Sequence, residues 1–421
     1  MSFDPRFYVS KADFKSDARM KFLSRHNPRI NVHALKVSLI LLTFIYFLIP
    51  TEASDPTNAL LIRCVAALFL FFYISRGIPR HNKRLVIYFF ILYAFVLDAL
   101  IISYSLRFFI LTISIALSYS WSVSLYYSTG SSKLTIDALK LLLYLSIVAL
   151  LVQSLLYQFG YFLNIHEFLF PWSSVRVEDH LTFARLGGLY IEPGTYANWV
   201  YAIFILLVFV YRKVPFVLGL LVGISIILSL SVWGVMVGLI VLTISILASK
   251  GVKIYGRIAA SLLIIIFLSV FISSDVSNYI STKLSLETPS GQSKTVAYEE
   301  FSSTWQELIL LGKGFDPNFC DGCLAPEDAG VGMNEIVVFG SVFALLLFAP
   351  IYFYAYKLGG PLYLVLLGPL AFTKLFYWDF LMFLIISTAI CGILKLRANN
   401  STQSSEEKRL ELEQNILCKP L

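Results

Sequence analysis

Arg185-Leu186-Gly187-Gly188-Leu189-Tyr190-Ile191-Glu192-Pro193-Gly194-Thr195-Tyr196-Ala197-Asn198-Trp199 is a polar, glycine-rich run that leads directly into an apolar segment, Tyr201 to Val210. It carries a fixed cation, a carboxylate, three glycines and a proline. Pro193 suits the first turn of a helix, where its missing N–H costs nothing. Glu192, just before it, falls at the helix N-terminus, where the dipole favours an anion. The pair Gly187-Gly188 lets the backbone approach a ligand closely. Two readings fit: an ordinary loop-to-helix turn, and a binding stretch mounted on the end of a membrane helix.

Outward from this stretch, composition decides the class. Apolar residues are 58% of the 421 and charged residues 14%, with a mean hydropathy of +0.77. A soluble domain is nearer a quarter charged, so the expectation is an all-α polytopic membrane protein. Apolar runs of about 17–25 residues, enough to cross a bilayer core, fall at twelve places: roughly 34–50, 58–75, 85–103, 106–127, 138–163, 195–211, 214–230, 232–248, 257–273, 334–356, 360–376 and 378–395. Two of the resulting hairpins, 85–103 with 106–127 and 214–230 with 232–248, have almost no connector. Residues 1–33 read as a basic arm without the features of a cleavable signal peptide. Residues 398–421 read as a short cytoplasmic helix or a disordered end. The net charge of +7 says nothing about nucleic acid in such a protein; what matters is where Lys and Arg fall.

They fall on alternate connectors. The arm holds Lys11, Lys15, Arg19, Lys21, Arg25 and Arg29, and the connectors carry Arg76/Arg80/Lys83/Arg84, Lys133/Lys140, Arg212/Lys213, Lys250/Lys253/Arg257, Lys357 and Lys395/Arg397. Threading twelve helices in order puts every basic loop on one side, which the positive-inside bias makes the cytoplasm, together with both termini. Two long segments then face outward, about 164–194 and 274–333. Loops of this length are usually functional or disordered, and both keep aromatic residues, so partly ordered segments with short helices are expected. Residues 296–311 have helical spacing of Val296, Phe301, Trp305, Leu308 and Ile309.

Arg176 and Arg185 are the arginines of the first outer loop, alongside His166 and His180. A membrane enzyme that handles a lipid-linked phosphate needs fixed guanidinium groups, which bind in bidentate fashion and keep their charge; the bland alternative is interfacial snorkelling. The second loop has Lys283, Lys294 and Lys313 against nine Asp and Glu residues and no arginine, so any phosphate site there must be local. Cys320-Asp321-Gly322-Cys323 reads as a local disulfide rather than a metal site, because tetrahedral zinc needs two further ligands. Cys64, Cys391 and Cys418 read as unpaired. Arg63, Asp98, Arg107, Lys374 and Asp379 are charges inside or at the ends of spans, each a functional hypothesis by default.

The order of these motifs resembles the O-antigen polymerases of the Wzy type and their relatives, the O-antigen ligases. The resemblance covers roughly 140–350. It rests on Arg185-x-Gly-Gly-x-x-x-Glu-Pro entering a helix, on Arg176 followed by ten residues and Gly187, on Trp305 followed by Leu311-Gly312-Lys313-Gly314-Phe315, and on Asp328 twelve residues before Gly340. The missing arginine in the second loop departs from the pattern, and Lys294 or Lys283 would have to stand in. The resemblance implies transfer of a growing glycan from undecaprenyl diphosphate to a sugar hydroxyl of a new lipid-linked repeat unit, at the outer face of a bacterial inner membrane. It implies Arg176, Arg185 and Lys294 on the diphosphate, and Glu192, Asp328 or His180 as base. Gly187, Gly188 and Pro193 would shape the loop. No cofactor, metal or nucleotide sugar is expected. The partners would be the lipid-linked oligosaccharide donor and acceptor, membrane lipid and a chain-length regulator, with no nucleic acid. A ligase differs in acceptor, not in catalytic plan. A lipid-linked sugar flippase is the third alternative, expected to show internal repeats and broken helices at mid-membrane.

Overall fold

A computed structural model describes residues 28–50, 56–76, 82–103, 105, 107–171, 173, 178–180, 183–248, 252–271, 289–315, 330–375 and 380–417. The chain divides into two compact units, Met1–Lys36 and Val37–Leu421. The described residues are almost entirely helical. The helices are α1 (Pro28–Leu48), α2 (Pro56–Ser75), α3 (Lys83–Ile102), α4 (Arg107–Tyr126), α5 (Gly130–Gln158), α6 (Ile165–Leu169), α7 (Pro193–Tyr211), α8 (Phe216–Leu228), α9 (Val232–Ala248), α10 (Ile254–Phe271), α11 (Pro289–Thr304), α12 (Val331–Phe339), α13 (Ser341–Gly359), α14 (Pro361–Leu367) and α15 (Phe380–Leu417). One departure from all-helix is a short antiparallel hairpin, β1 (Glu178–His180) with β2 (Phe183–Arg185), which pairs Glu178 with Arg185.

Among the described residues, six helical stretches are long and apolar enough to cross a membrane: Lys83–Ile102, Arg107–Tyr126, Gly130–Gln158, Pro193–Tyr211, Ser341–Gly359 and Phe380–Ala398. The expected twelve full spans are not all present as such. The run 334–356 is broken at Gly340, which adopts φ 94° with the Leu310 carbonyl pressed against it; the spanning part begins at Ser341. The run 360–376 is the seven-residue α14 followed by a 3-10 turn, Gly368–Phe372. Pro369 explains that change, since it cannot donate the backbone bond that would continue an α-helix. The expected helix over 296–311 instead starts at Pro289 and stops at Thr304, so that Trp305, Leu308 and Ile309 lie in the turns that follow. At the C-terminal end α15 continues without a break to Leu417.

Small residues hold the helices together, as expected where lipid removes the hydrophobic drive for association. On α4, Ser114, Ser118, Ser122 and Ser124 are buried. Facing them, Ser387 donates to the Ser118 carbonyl at 3.1 Å, Cys391 to the Ser122 carbonyl at 2.9 Å, and Trp121 Nε1 to Thr388 Oγ1 at 3.2 Å. Helices α8 and α9 form a hairpin through Ser229-Leu230-Ser231. Each carries glycines four apart, Gly219/Gly223 and Gly234/Gly238. A Cβ on Gly219 would strike Ser245, and one on Gly238 would strike Ile227 and the Gly223 carbonyl. The backbones therefore touch, in the close approach that small-xxx-small spacing permits.

At the centre stands α7, against α5, α8, α9 and α15. Pro193 and every residue from Thr195 to Phe209 are buried, so this helix is enclosed on all sides. Trp199 donates to the Leu48 carbonyl at the end of α1 at 2.7 Å, and Tyr201 to the Leu366 carbonyl in α14 at 2.5 Å. The glycine-rich stretch 185–199 forms the head of this helix and the loop that leads into it.

Candidate functional site

The site begins where β2 ends. Arg185 closes the hairpin, and the chain then curls through Gly187-Gly188-Leu189-Tyr190, with the Tyr190 amide donating to the Gly187 carbonyl at 2.9 Å. Gly188 takes φ 61°, the left-handed first central position that such a turn demands. Its place is tight as well as twisted, since a Cβ there would lie 3.1 Å from the backbone nitrogen of Leu150 on α5. Gly187 is tighter still: a Cβ would sit 2.5 Å from the Tyr190 carbonyl and 3.1 Å from the Glu192 backbone. Both glycines are thus used to fold the turn onto itself and onto α5.

Side chains from two other elements anchor the turn. Gln153, buried near the end of α5, accepts from the Gly188 amide at 2.9 Å through Oε1 and donates through Nε2 to the Leu163 carbonyl at 2.8 Å. His166 on α6 is 1% exposed. Its Nδ1 lies 2.8 Å from the Leu189 carbonyl and its Nε2 3.0 Å from Ser173 Oγ. A carbonyl only accepts, so Nδ1 carries a proton; in the neutral ring Nε2 then accepts from the Ser173 hydroxyl. Burial pulls the His166 imidazole below its ordinary range, against smaller opposing effects of the Leu189 bond and Glu167. Tyr190 bonds Ser146 on α5 at 3.3 Å and stacks edge-on against Tyr196, with ring centroids 5.7 Å apart.

Glu192 is the N-cap residue of α7 in extended conformation, with Pro193 at the first helical position. Its carbonyl accepts the first helical bond, from Tyr196 at 3.0 Å. The carboxylate does not cap the helix; Thr195 Oγ1 donates to Glu192 Oε1 at 3.2 Å. Gly194 leaves room beside it: a Cβ there would lie 3.4 Å from Glu192 Oε1 and 3.7 Å from Ser231 Oγ of the α8–α9 turn. Asn198, one turn further on and 1% exposed, donates to the Gly194 carbonyl at 2.8 Å.

The structure thus brings Arg185, Gly187, Gly188, Glu192 and Pro193 into one anchored loop, with Arg185 and Glu192 both half-buried. His180 lies on β1 opposite Phe183, and Lys294 lies on α11; the side chains of both fall outside the described part of the structure. Arg176, Asp328, Cys320 and Cys323 lie outside the described residues. Cys64 and Cys391 are free thiols. Among the described residues no group of three His, Cys, Asp or Glu side chains is placed to hold a metal ion.

Sequence reasoning missed Gln153 and also Glu335 on α12, and it named His166 only as a histidine of the first outer loop, without its part in fixing the turn. Glu335 is fully buried, and neither of its carboxylate oxygens has a hydrogen-bond partner. Burial pushes its carboxyl well above the usual carboxylate range. For Gln153 and Glu335, polarity in an otherwise apolar run was the available signal. Comparison with known family models, with curated proteins and with solved structures finds no match.

Proposed function

We propose that this chain is a multi-pass membrane glycosyltransferase of the O-antigen polymerase kind, which moves a growing glycan from a polyprenyl diphosphate to a sugar hydroxyl of a new lipid-linked repeat unit. The observation that carries the reading is the anchored loop at the head of α7. It sets a guanidinium and a carboxylate, Arg185 and Glu192, on either side of a double-glycine turn that Gln153 and His166 hold in place. An ordinary loop-to-helix connection has no need of two buried polar anchors.

The chemistry asks little beyond this. The glycosidic bond to the diphosphate breaks and its electron pair leaves on the phosphate oxygen, whose developing charge a fixed cation offsets. Arg185 supplies that cation, with bidentate geometry suited to phosphate. The acceptor hydroxyl attacks the anomeric carbon from the opposite side, inverting it, and gives its proton to a carboxylate or imidazole in reach. Glu192 orients that hydroxyl. Asp328 or His180 takes the proton. The outer-face location follows from the alternation of basic loops.

Deleting the gene and resolving surface polysaccharide on a gel tests the reading. Single repeat units on the cell surface support a polymerase. Full polymer retained on the lipid carrier would mean a ligase, and an unchanged ladder would remove both.

A further inference from the structure

Helix α12 is a separate nine-residue piece, too short to cross a membrane, set between Gly330 with φ 106° and Gly340 with φ 94°. Neighbouring backbone clamps it. The Lys313 and Gly314 amides donate to the Val337 and Val338 carbonyls at 2.7 and 3.1 Å, satisfying the end of the helix, and the Val331 amide donates to the Thr373 carbonyl at 2.8 Å. Gly312 packs directly on the Val338 backbone, and Gly330 on Phe372. The helix has two apolar faces. Val331, Val338 and Phe339 belong to the main core, whereas Met333 and Val337 join Ala297 and Leu308 in a smaller cluster. At about 100° per residue, Glu335 falls in the arc between Val331 and Phe339, on the main-core side.

A carboxyl group therefore sits within apolar packing, fully unexposed, with both oxygens unpartnered. The charged and titratable groups on the elements around it do not reach it. Asp98 lies near the end of α3, Lys313 is 3.9 Å from Glu307, Lys374 follows the 3-10 turn, Tyr298, Glu299 and Glu300 are on α11 behind the opposite face, and α13 offers nothing charged before Lys357. Among the described residues none forms an ion pair or hydrogen bond with Glu335. A cation bound there would be held by a cluster of ligands, and no such cluster exists among the described residues. An ionised carboxylate without a partner is not tolerated in such a place; the group takes up a proton instead.

We propose that Glu335 is a proton-binding site whose occupancy seats α12 in the bundle. With the proton on, the neutral acid is compatible with the packed face. With the proton off, the charge draws α12 toward water about its two left-handed glycines. The sign follows: a group that folding makes harder to ionise stabilises the packed form at low pH, and that contribution is lost as pH rises. Glu335→Gln is a permanent mimic of the protonated state.

Two measurements on the purified full chain test this. Infrared spectroscopy at neutral pH should show a protonated-carboxyl stretch that is absent from both Glu335→Gln and Glu335→Leu. Hydrogen exchange of amides 331–339, corrected for the intrinsic pH dependence, should rise with pH in the wild type and stay flat in Glu335→Gln. Absence of the Glu335-dependent band would show an ionised group and overturn the site. A wild-type exchange profile that tracks Glu335→Gln would overturn the coupling to α12. Neither readout depends on glycan transfer.

Discussion

Gln153 and Gly188, thirty-five residues apart in the chain, meet at 2.9 Å, and the same side chain reaches Leu163 with its other end. One amide thus ties together both ends of the loop between α5 and α7.

Replacing Gln153 with Met, of similar length, leaves the buried Gly188 N–H without a partner and removes the bond to the half-buried Leu163 carbonyl. An unsatisfied buried group costs about 1–3 kcal/mol. Thermal unfolding of the purified variant should show that loss, and polymer formation should fall with it. Wild-type stability in Gln153→Met would mean that the loop is held by something else.

Gly188 and Gly160 make a controlled pair. Both are left-handed, at φ 61° and 80°, a conformation that costs an L-residue roughly 1–2 kcal/mol. Only Gly188 is also pressed against Leu150; nothing lies within 4 Å of a Cβ on Gly160. Gly188→Ala should therefore lower the melting temperature clearly more than Gly160→Ala does. Equal shifts would remove close packing as the reason for glycine at 188.

His166 makes the loop sensitive to acid. Folding holds its pKa below the ordinary value, so the stabilisation is complete above the unfolded value of about 6.5 and is lost as pH falls below it, where the unfolded chain gains a proton that the folded one resists. Melting temperatures taken from about pH 7.5 down to about 5 should fall more steeply for the wild type than for His166→Gln. Parallel curves would assign the acid limb to other groups.

Arg185→Lys keeps the charge and loses the fork, and Glu192→Gln keeps the shape and loses the charge. Each should cut polymer formation by about 10²–10³, the usual cost of one transition-state contact, with melting temperatures near wild type. Near-normal polymer from Arg185→Ala would move the site elsewhere, to the region of Lys294.

The sequence was most informative where one local rule decided the outcome. Pro193 marked the first turn of α7, because that effect belongs to the residue itself; the double glycine, read as a place for close approach to a ligand, instead packs a tight turn onto itself and α5. Hydropathy located the apolar helices but not their breaks. Gly340 and Pro369 interrupt runs that hydropathy reads as single spans, and at Gly340 the Leu310 carbonyl of another segment is pressed against the break. For Gln153 and His166 the sequence shows a polar side chain but not what it holds. Their partners are backbone groups of distant residues, and a backbone carbonyl leaves no trace in the sequence. Arg185 and Glu192 stood out because their charges are conspicuous in an apolar chain; Glu335 was equally charged and was missed because its apolar neighbours made it look like the edge of a span.

Helix α8 has thirteen residues, about 20 Å of rise, against a hydrocarbon layer of about 30 Å. Arg212 and Lys213, just before it, are both exposed, and α8 by itself is too short to carry the Ser229–Ser231 turn across such a layer. Backbone at that depth has to be sheathed by protein, and Ser229, Leu230 and Ser231 are at most 5% exposed. A Cβ on Gly194 would lie 3.7 Å from Ser231 Oγ, so the head of α7 packs against this same sheathed turn.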